Sequence, residues 1–350
     1  RRVPTLFDIC AYIVVKCRIL RKTEQIIHME NRITGEMTER VKVVDATLRD
    51  GGIVNNFYFP AGFAAALYAA NLAAGVDIME FGYKVSKKLS DVTKFGEWKF
   101  CDEYSLRAVV GENNTKMKIS VMSDVGRVDL KTEVLPKDKS VIDMYRIATY
   151  VSQADEASQM INYCHDMGYQ TCCNIMAISR ESEEDLRAAL GKIARTSADV
   201  IYIVDSFGSL YPDEMAHLCD MYGEIAYKHG KKLGIHAHNN QQLAFANTIA
   251  CIDKGVTYLD ATVGGMGRGA GNCALEALIG YLRTPRYDIN PILQFIREHL
   301  NPVKRSGVEW GYDVPYLLTG LNGVHPYAAI DFIKDGREDY ERFLAEITKK

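Results

Sequence analysis

No CxxC pair occurs in the 350 residues, although the chain carries nine cysteines, Cys10, Cys17, Cys101, Cys164, Cys172, Cys173, Cys219, Cys251 and Cys273. That scatter and the odd count speak against a zinc knuckle or a disulfide framework and fit buried thiols in a reducing cytoplasm. The apolar stretch LFDICAYIVVKCRIL near the start is interrupted by Asp8 and Lys16 and lacks a small-residue cleavage site. It is too short and too charged to span a bilayer and does not read as a signal peptide. No sustained basic stripe appears from residue 41 onward and the formal net charge is -3, so nucleic acid is a poor partner. Small acidic or neutral molecules remain as ligands. With 47% hydrophobic and 25% charged residues, the composition is that of a soluble globular protein.

From residue 41, β-branched runs alternate with helical patterns. Strands are expected at 41–48, 77–83, 118–124, 142–148, 170–178, 200–206, 232–238 and 258–263. Between most of them lie helical stretches with end signals. PAGFAAALYAANLAAG opens near Pro60 and closes on Gly75, SEEDLRAALGKIART starts at Ser182 with acids in its first turn, and PDEMAHLCDMYGEIAYKHG ends at Gly230. Eight strands each able to carry a helix point to an α/β fold, a (β/α)8 TIM barrel, over residues 41–285. Residues 286–350 read as a small helical C-terminal appendage, and residues 1–40 as an N-terminal extension outside the fold, since Met29 and Met37 sit just ahead of the first strand. The long connections 84–104 and 125–140 are expected to cover the barrel mouth.

Chemistry in such a barrel sits at the C-terminal ends of the strands. VVDATLRDGG delivers Arg49 and Asp50 there, with Glu80 near the end of the second strand, Asp124 at the end of the third and Asp205 at the end of the sixth. IHAHNN places His236 and His238 two apart on a strand, so both imidazoles face the same way. Two histidines and a carboxylate are a common donor set for a divalent metal, and Asp50 is the obvious third member. The loop GGMGRGAGN offers only a weak GxGxxA match to a dinucleotide motif and no GK[ST] phosphate-loop ending. Its glycines more plausibly let the backbone come close to a ligand at the metal, and Asn272 adds an oxygen donor or caps the next helix. Arg49 can then stabilise negative charge that develops when a bond beside a polarised ketone is broken or made.

The segments DATLRDGG, IMEFGYK, IHAHNN and GGMGRGAGN, in this order, resemble the metal-dependent aldolase and lyase barrels that share a TLRDG signature. This HMGL-like or DRE-TIM metallolyase group, of pyruvate carboxyltransferase type, includes 4-hydroxy-2-oxovalerate aldolase, HMG-CoA lyase and 2-isopropylmalate synthase; the aldolase is the nearest in kind. The resemblance covers residues 41–283. It implies Asp50, His236 and His238 as ligands of Mn2+ or Mg2+, with Asn272 completing the set in some members, Arg49 as enolate stabiliser and Glu80 as its supporting acid. The implied reaction is cleavage or formation of an aldol bond between a 2-oxo acid such as pyruvate and an aldehyde, through an enolate held at the metal. A homodimer and an aldehyde dehydrogenase partner are implied in the same way.

Three departures matter. Ile53 stands where the aldolases carry a proton-transferring histidine, Cys273 follows Asn272 rather than preceding it, and 65 C-terminal residues leave no room for a long regulatory domain. The acid/base must then come from elsewhere. His325, in GLNGVHPYA, has an intrinsic pKa suited to proton transfer, and Tyr83 is a second candidate. Lys84, Asn55, Asn56 and Asp205 are candidates for substrate contact. An acyl-CoA-dependent Claisen-type synthase or HMG-CoA-lyase-like enzyme is the first rival reading. A catalytically silent, metal-binding barrel with a structural or regulatory role is a rival of another class.

Overall fold

Residues 40–348 are described in the computed structural model, so the extension expected over 1–40 lies, apart from Arg40, outside the described residues. The first strand, β1 (Lys42–Asp45), stops three residues short of its expected end. The Asp45 carboxylate accepts from the Thr47 amide at 3.0 Å and from the Thr47 hydroxyl, a local bond that competes with the strand ladder and bends the chain. Residues Thr47–Gly51 then form one helical turn, α1. Arg49 and Asp50 thus stand on a turn above the strand rather than at its end. Asp45 also accepts from Asn71 at 2.6 Å, and the Thr47 hydroxyl accepts from the Val263 amide at 2.8 Å. Two residues of the signature therefore serve as joints that aim the other two.

The remaining strands are β2 (Ile78–Tyr83), β3 (Lys118–Asp124), β4 (Met144–Thr149), β5 (Gln170–Ile175), β6 (Val200–Asp205), β7 (Lys232–Ala237) and β8 (Tyr258–Ala261). They close in sequence order into an eight-stranded barrel, β8 pairing with β1, with every pair parallel. Alternation of side chains sends Val44, Ile78, Met144, Cys172, Val200 and Tyr202 into the barrel, where they pack together. Their neighbours Val43, Met79, Tyr145, Cys173, Ile201 and Leu259 join the larger core beneath the helices.

Those helices are α2 (Phe63–Ala74), α3 (Glu103–Val110), α4 (Ala154–Asp166), α5 (Glu183–Ala194), α6 (Pro212–Ala226), α7 (Ala244–Asp253) and α8 (Leu275–Leu282). The Ser182 hydroxyl caps α5 by accepting from the Asp185 amide at 3.1 Å. α2 ends on Gly75 at φ 78°, where a Cβ would stand 2.2 Å from the Arg286 carbonyl oxygen, so only glycine fits. Between β3 and β4 the connection holds two short turns, Leu130–Glu133 and Lys137–Lys139, in place of a full helix.

The chain ends in α9 (Asn290–Phe295), α10 (Asn301–Arg305), α11 (Val314–Leu321), α12 (Tyr327–Lys334) and α13 (Tyr340–Thr348). α9 packs on the barrel, Phe295 meeting Phe63 edge-on at 5.0 Å. The last three helices build a small core of their own around Ala329, Phe332, Phe343 and Ile347. Polar contacts tie them to the mouth: Asn240 donates to the Tyr316 carbonyl at 3.3 Å and Arg180 to the Gly323 carbonyl at 2.8 Å. Among the described residues no helix is long and apolar enough to cross a membrane.

Candidate active site

Asp50, His236 and His238 are buried together, with one donor atom from each lying within 4.8 Å of the others. Nε2 of each histidine is 3.7 Å from Oδ2 of Asp50, and the two rings stand nearly perpendicular, 5.2 Å apart. His236 Nδ1 faces Oδ2 of Asp260 at 3.0 Å. That bond puts the ring proton on Nδ1 and leaves Nε2 a lone pair, which has no hydrogen-bond partner although it is buried. An orphaned buried acceptor and a second imidazole nitrogen, both facing one carboxylate oxygen, form a possible divalent-metal centre. Asn272 lies beside it, its Nδ2 donating to Asp50 at 2.5 Å and its Oδ1 buried without a partner. Ala274, not Asn272, precedes α8, so the capping alternative for Asn272 is corrected. Gly267 brings the loop close. A Cβ there would lie 2.1 Å from the Asn272 amide and 3.0 Å from the Asp50 carboxylate.

Below the centre runs a ring of buried charges. Arg49 donates to Asp50 through Nη1 at 3.1 Å and to Glu80 through Nε at 2.8 Å. Arg146, from the middle of β4, donates to the same Glu80 oxygen at 2.9 Å and to Asp260 at 2.5 Å. Asp260 holds His236, and His236 returns to Asp50. Burying an unpaired ion costs several kcal/mol, so each member persists because its neighbours neutralise it. Burial alone would raise Asp50, but the Arg49 guanidinium and both histidines hold it well below the usual carboxylate range. Burial likewise acts to raise Asp260, and Arg146 with His236 overcome it. Among these residues three carboxylates face two guanidiniums, a deficit of positive charge that either a protonated His236 or a bound cation would redress. Burial and Arg49 act to lower the His236 pKa, and its contacts with Asp260 and Asp50 raise it nonetheless. Sequence reading singled out Glu80 and missed Arg146 and Asp260. Their signal was a charged residue at an inward position of an otherwise apolar strand, MYRIAT and YLDA.

The centre opens into a cavity of about 100 Å³ that Arg49, Asp50, His236 and His238 line on one side and Met122, Ala148, Met176 and Val204 on the other. Tyr83 and His325 reach the same cavity, as does Ile53. His325 stacks on Tyr327 at 4.6 Å, meets Phe207 edge-on, and accepts from the Tyr327 amide through Nδ1 at 3.2 Å. Burial, with Arg268 and Arg180 nearby, pushes it down to about 4, so its ring is neutral at neutral pH. Burial pushes the Tyr83 phenol up, which keeps it protonated.

The other expected contacts divide. Asn56 lines an outer vestibule, while Asn55 beside it is half-buried with its Oδ1 unpartnered. Lys84 is corrected: past the β2 bulge it turns outward and its Nζ donates to the Cys101 carbonyl at 3.3 Å. Asp205 is corrected too. It is the outward residue at the end of β6 and accepts from the amides of Ser209 and Leu210, shaping the loop rather than facing the cavity. In place of these, the structure brings Arg268, Asn174 and Ser206 to the cavity wall and Lys99 to the vestibule. The connection carrying Lys99 does line the mouth, as expected of 84–104.

The HMGL-like family model matches residues 40–303. A 4-hydroxy-2-oxovalerate aldolase from Pelotomaculum thermopropionicum is 29% identical over 290 residues, covering 81% of this chain and 83% of that protein. One from Thermus thermophilus is 31% identical over 265 residues, covering 75% of each. Among solved structures, the N-terminal domain of a candidate aldolase from Bacteroides vulgatus superposes with a TM-score of 0.69 at 29% identity, over 84% of this chain and 97% of that one. With the barrel, the buried donor set and the signature loops on the same strand ends, the chain belongs to the HMGL-like family.

Proposed function

We propose that this protein is a divalent-metal-dependent lyase, an aldolase that breaks or makes the bond between a 2-oxo acid such as pyruvate and an aldehyde. The observation that carries the reading is a free lone pair and a free hydrogen-bond donor facing one cavity. His236 Nε2 and Arg49 Nη2 are both buried, both without partners, and both on residues that line it. Asp50, His236 and His238 would hold the metal, Mn2+ or Mg2+, with Asn272 Oδ1 as a further oxygen donor. When bound it supplies a Lewis acid beside the ketone of the 2-oxo acid.

The chain's own residues account for the rest. In the cleavage direction His325, neutral at working pH, takes the proton of the substrate's hydroxyl on Nδ1, giving up the bond that this nitrogen accepts from the Tyr327 amide. The bonding pair between the two halves moves to the pyruvate side, and the aldehyde leaves. Negative charge then grows on the former ketone oxygen, where Arg49 Nη2 donates to it. Glu80 fixes that guanidinium through Nε and so orients it before reaction. Tyr83, protonated and in the same cavity, is placed to return a proton. Ile53 cannot serve in this role, and His325 from the appendage stands in the cavity that Ile53 helps to line.

The finer parts of the proposal are a cytoplasmic location, in keeping with the seven buried free thiols among the described residues, assembly as a homodimer, and hand-over of the aldehyde to a dehydrogenase. Mass in solution and co-purification test the last two. The central experiment follows proton–deuterium exchange at the pyruvate methyl group by NMR, with Mn2+ or Mg2+ added and with a chelator. Metal-dependent exchange is expected. Its absence with metal bound would overturn the assignment of pyruvate, and its persistence under chelation would overturn the metal.

A further inference from the structure

The guanidiniums of the charge ring, Arg49 and Arg146, differ in one respect from that of Arg268 on the cavity wall. Arg49 is neutralised by Asp50 and Glu80, and Arg146 by Glu80 and Asp260. Arg268 has no carboxylate partner among the described residues. Its Nη2 donates to the Ser206 carbonyl at 2.9 Å, and its Nε is buried with no partner at all. It lines both the inner cavity and the vestibule of about 900 Å³ outside it, so it stands where the two meet.

The surroundings add a second observation. Asn174, 2% exposed on β5, lines the inner cavity with its Oδ1 unpartnered. In the vestibule, Lys99 holds its ammonium over the rings of Tyr83, Phe57 and Phe95 at 4.5–5.5 Å. Arg127 lines the same space, against the acids Asp124 and Glu309. Asn174 Oδ1 is an acceptor and can take only a hydroxyl or N–H of a ligand. A half-buried guanidinium kept without a counter-ion, its Nε unpartnered and the Lys99 ammonium in the adjoining vestibule, is a receptor for an anion supplied from outside.

Resting on the aldolase reading, we propose that Arg268 receives an anionic group on the distal half of the substrate, so that the preferred aldols carry a carboxylate or phosphate beyond the bond that breaks. The position argues for the distal half. The metal centre lies at the deep end of the cavity, and Arg268 lies at the boundary through which the far end of a bound aldol must pass.

The experiment compares three probes, 4-hydroxy-2-oxohexanoate, 4-hydroxy-2-oxopentanedioate and a phosphate-terminated 4-hydroxy-2-oxo acid, by the rate of pyruvate release with Mn2+. The charged probes are expected to show the lower KM, and the better of the two identifies the anion. Arg268→Gln should raise the KM for that probe about 10- to 100-fold relative to the alkyl probe, the loss of a charge-assisted pair. Arg268→Lys should recover part of that discrimination, because it restores charge without the fork. An equal rise for all three probes would place Arg268 on the carboxylate they share and overturn the inference. Equal KM values for all three with the unaltered protein would overturn it as well. Metal-dependent exchange of the pyruvate methyl protons in the unaltered protein tells these failures from failure of the aldolase reading, which would abolish exchange itself.

Discussion

Around the mouth, β7, β8, β1 and β2 bring His236, His238, Asp260, Arg49, Asp50 and Glu80 together, while β3 to β6 present Met122, Ala148, Met176 and Val204 across the cavity. Arg146 is the exception from the second half, and it sits two residues below Ala148, out of the cavity and inside the charge ring. The first half needs fixed distances between charges, so each residue type is dictated by its partner. The second half needs only shape, and several apolar side chains supply it equally well. One half is built for reaction and the other for choosing what reacts.

The sharpest way to break this division is to remove a donor from the metal centre. Asp50→Ala and His236→Ala should abolish tight metal binding and lower metal-dependent pyruvate exchange by roughly 10³-fold or more, since several kcal/mol of charge stabilisation goes with the ion. Metal content and exchange are measured together, and retention of both would remove the centre from the reaction. Next in size is Arg49→Lys, for which kcat should fall about 10²- to 10³-fold while metal binding remains, because an ammonium cannot serve Glu80, Asp50 and the substrate at once.

His325→Ala tests whether chemistry has crossed into the apolar half, since this histidine arrives from the appendage. The loss in kcat should be about 10²-fold, the low end for a general base. The sign of the pH effect follows from its lowered pKa of about 4. The neutral form that accepts the proton is present above that value and is lost as pH falls through it. The acid limb of kcat/KM should therefore lie near 4 and not near 6.5, and a limb near 6.5 would assign the base to another group. Because the fold disfavours the charged ring, stability should also fall as pH drops from 6.5 toward 4, where the unfolded chain takes up the proton first. Asp260→Asn is milder still for activity. It releases the His236 ring and should weaken metal affinity about 10- to 100-fold, read by titration of the apoprotein.

The same division explains what was legible in the sequence. The eight strands and their order could be read from periodicity, because burial on both faces leaves continuous apolar runs. Arg49, Asp50, His236 and His238 could be read because spacing fixes which way they face. Strand ends were less legible: β1 was expected to run to 48, and only a side-chain bond from Asp45 to Thr47 shows why it stops. Lys84 and Asp205 were misplaced for one reason. A register shift after Glu80 turns Lys84 outward, and the alternation of β6 leaves Asp205 on the helix side, neither visible without the pairing. Arg268 was hidden among glycines, and its meaning depends on a carboxylate that is not there.

The smallest effect belongs to the apolar wall, and it sharpens the comparison most. Met176 lines the cavity and the vestibule and is only half-buried, so Met176→Ala should change stability little. A flexible thioether removed from a hydrophobic wall leaves space for extra methylenes, each discriminated only weakly by such a surface. The ratio of kcat/KM for a longer aldehyde over acetaldehyde, with pyruvate as co-substrate in the condensation direction, should rise about three- to tenfold. Pyruvate exchange, which needs no aldehyde, should be unchanged within twofold if the halves are independent. A matching fall in exchange would mean that the apolar wall also positions the 2-oxo acid, and the division between reacting and selecting halves would have to be redrawn across β5.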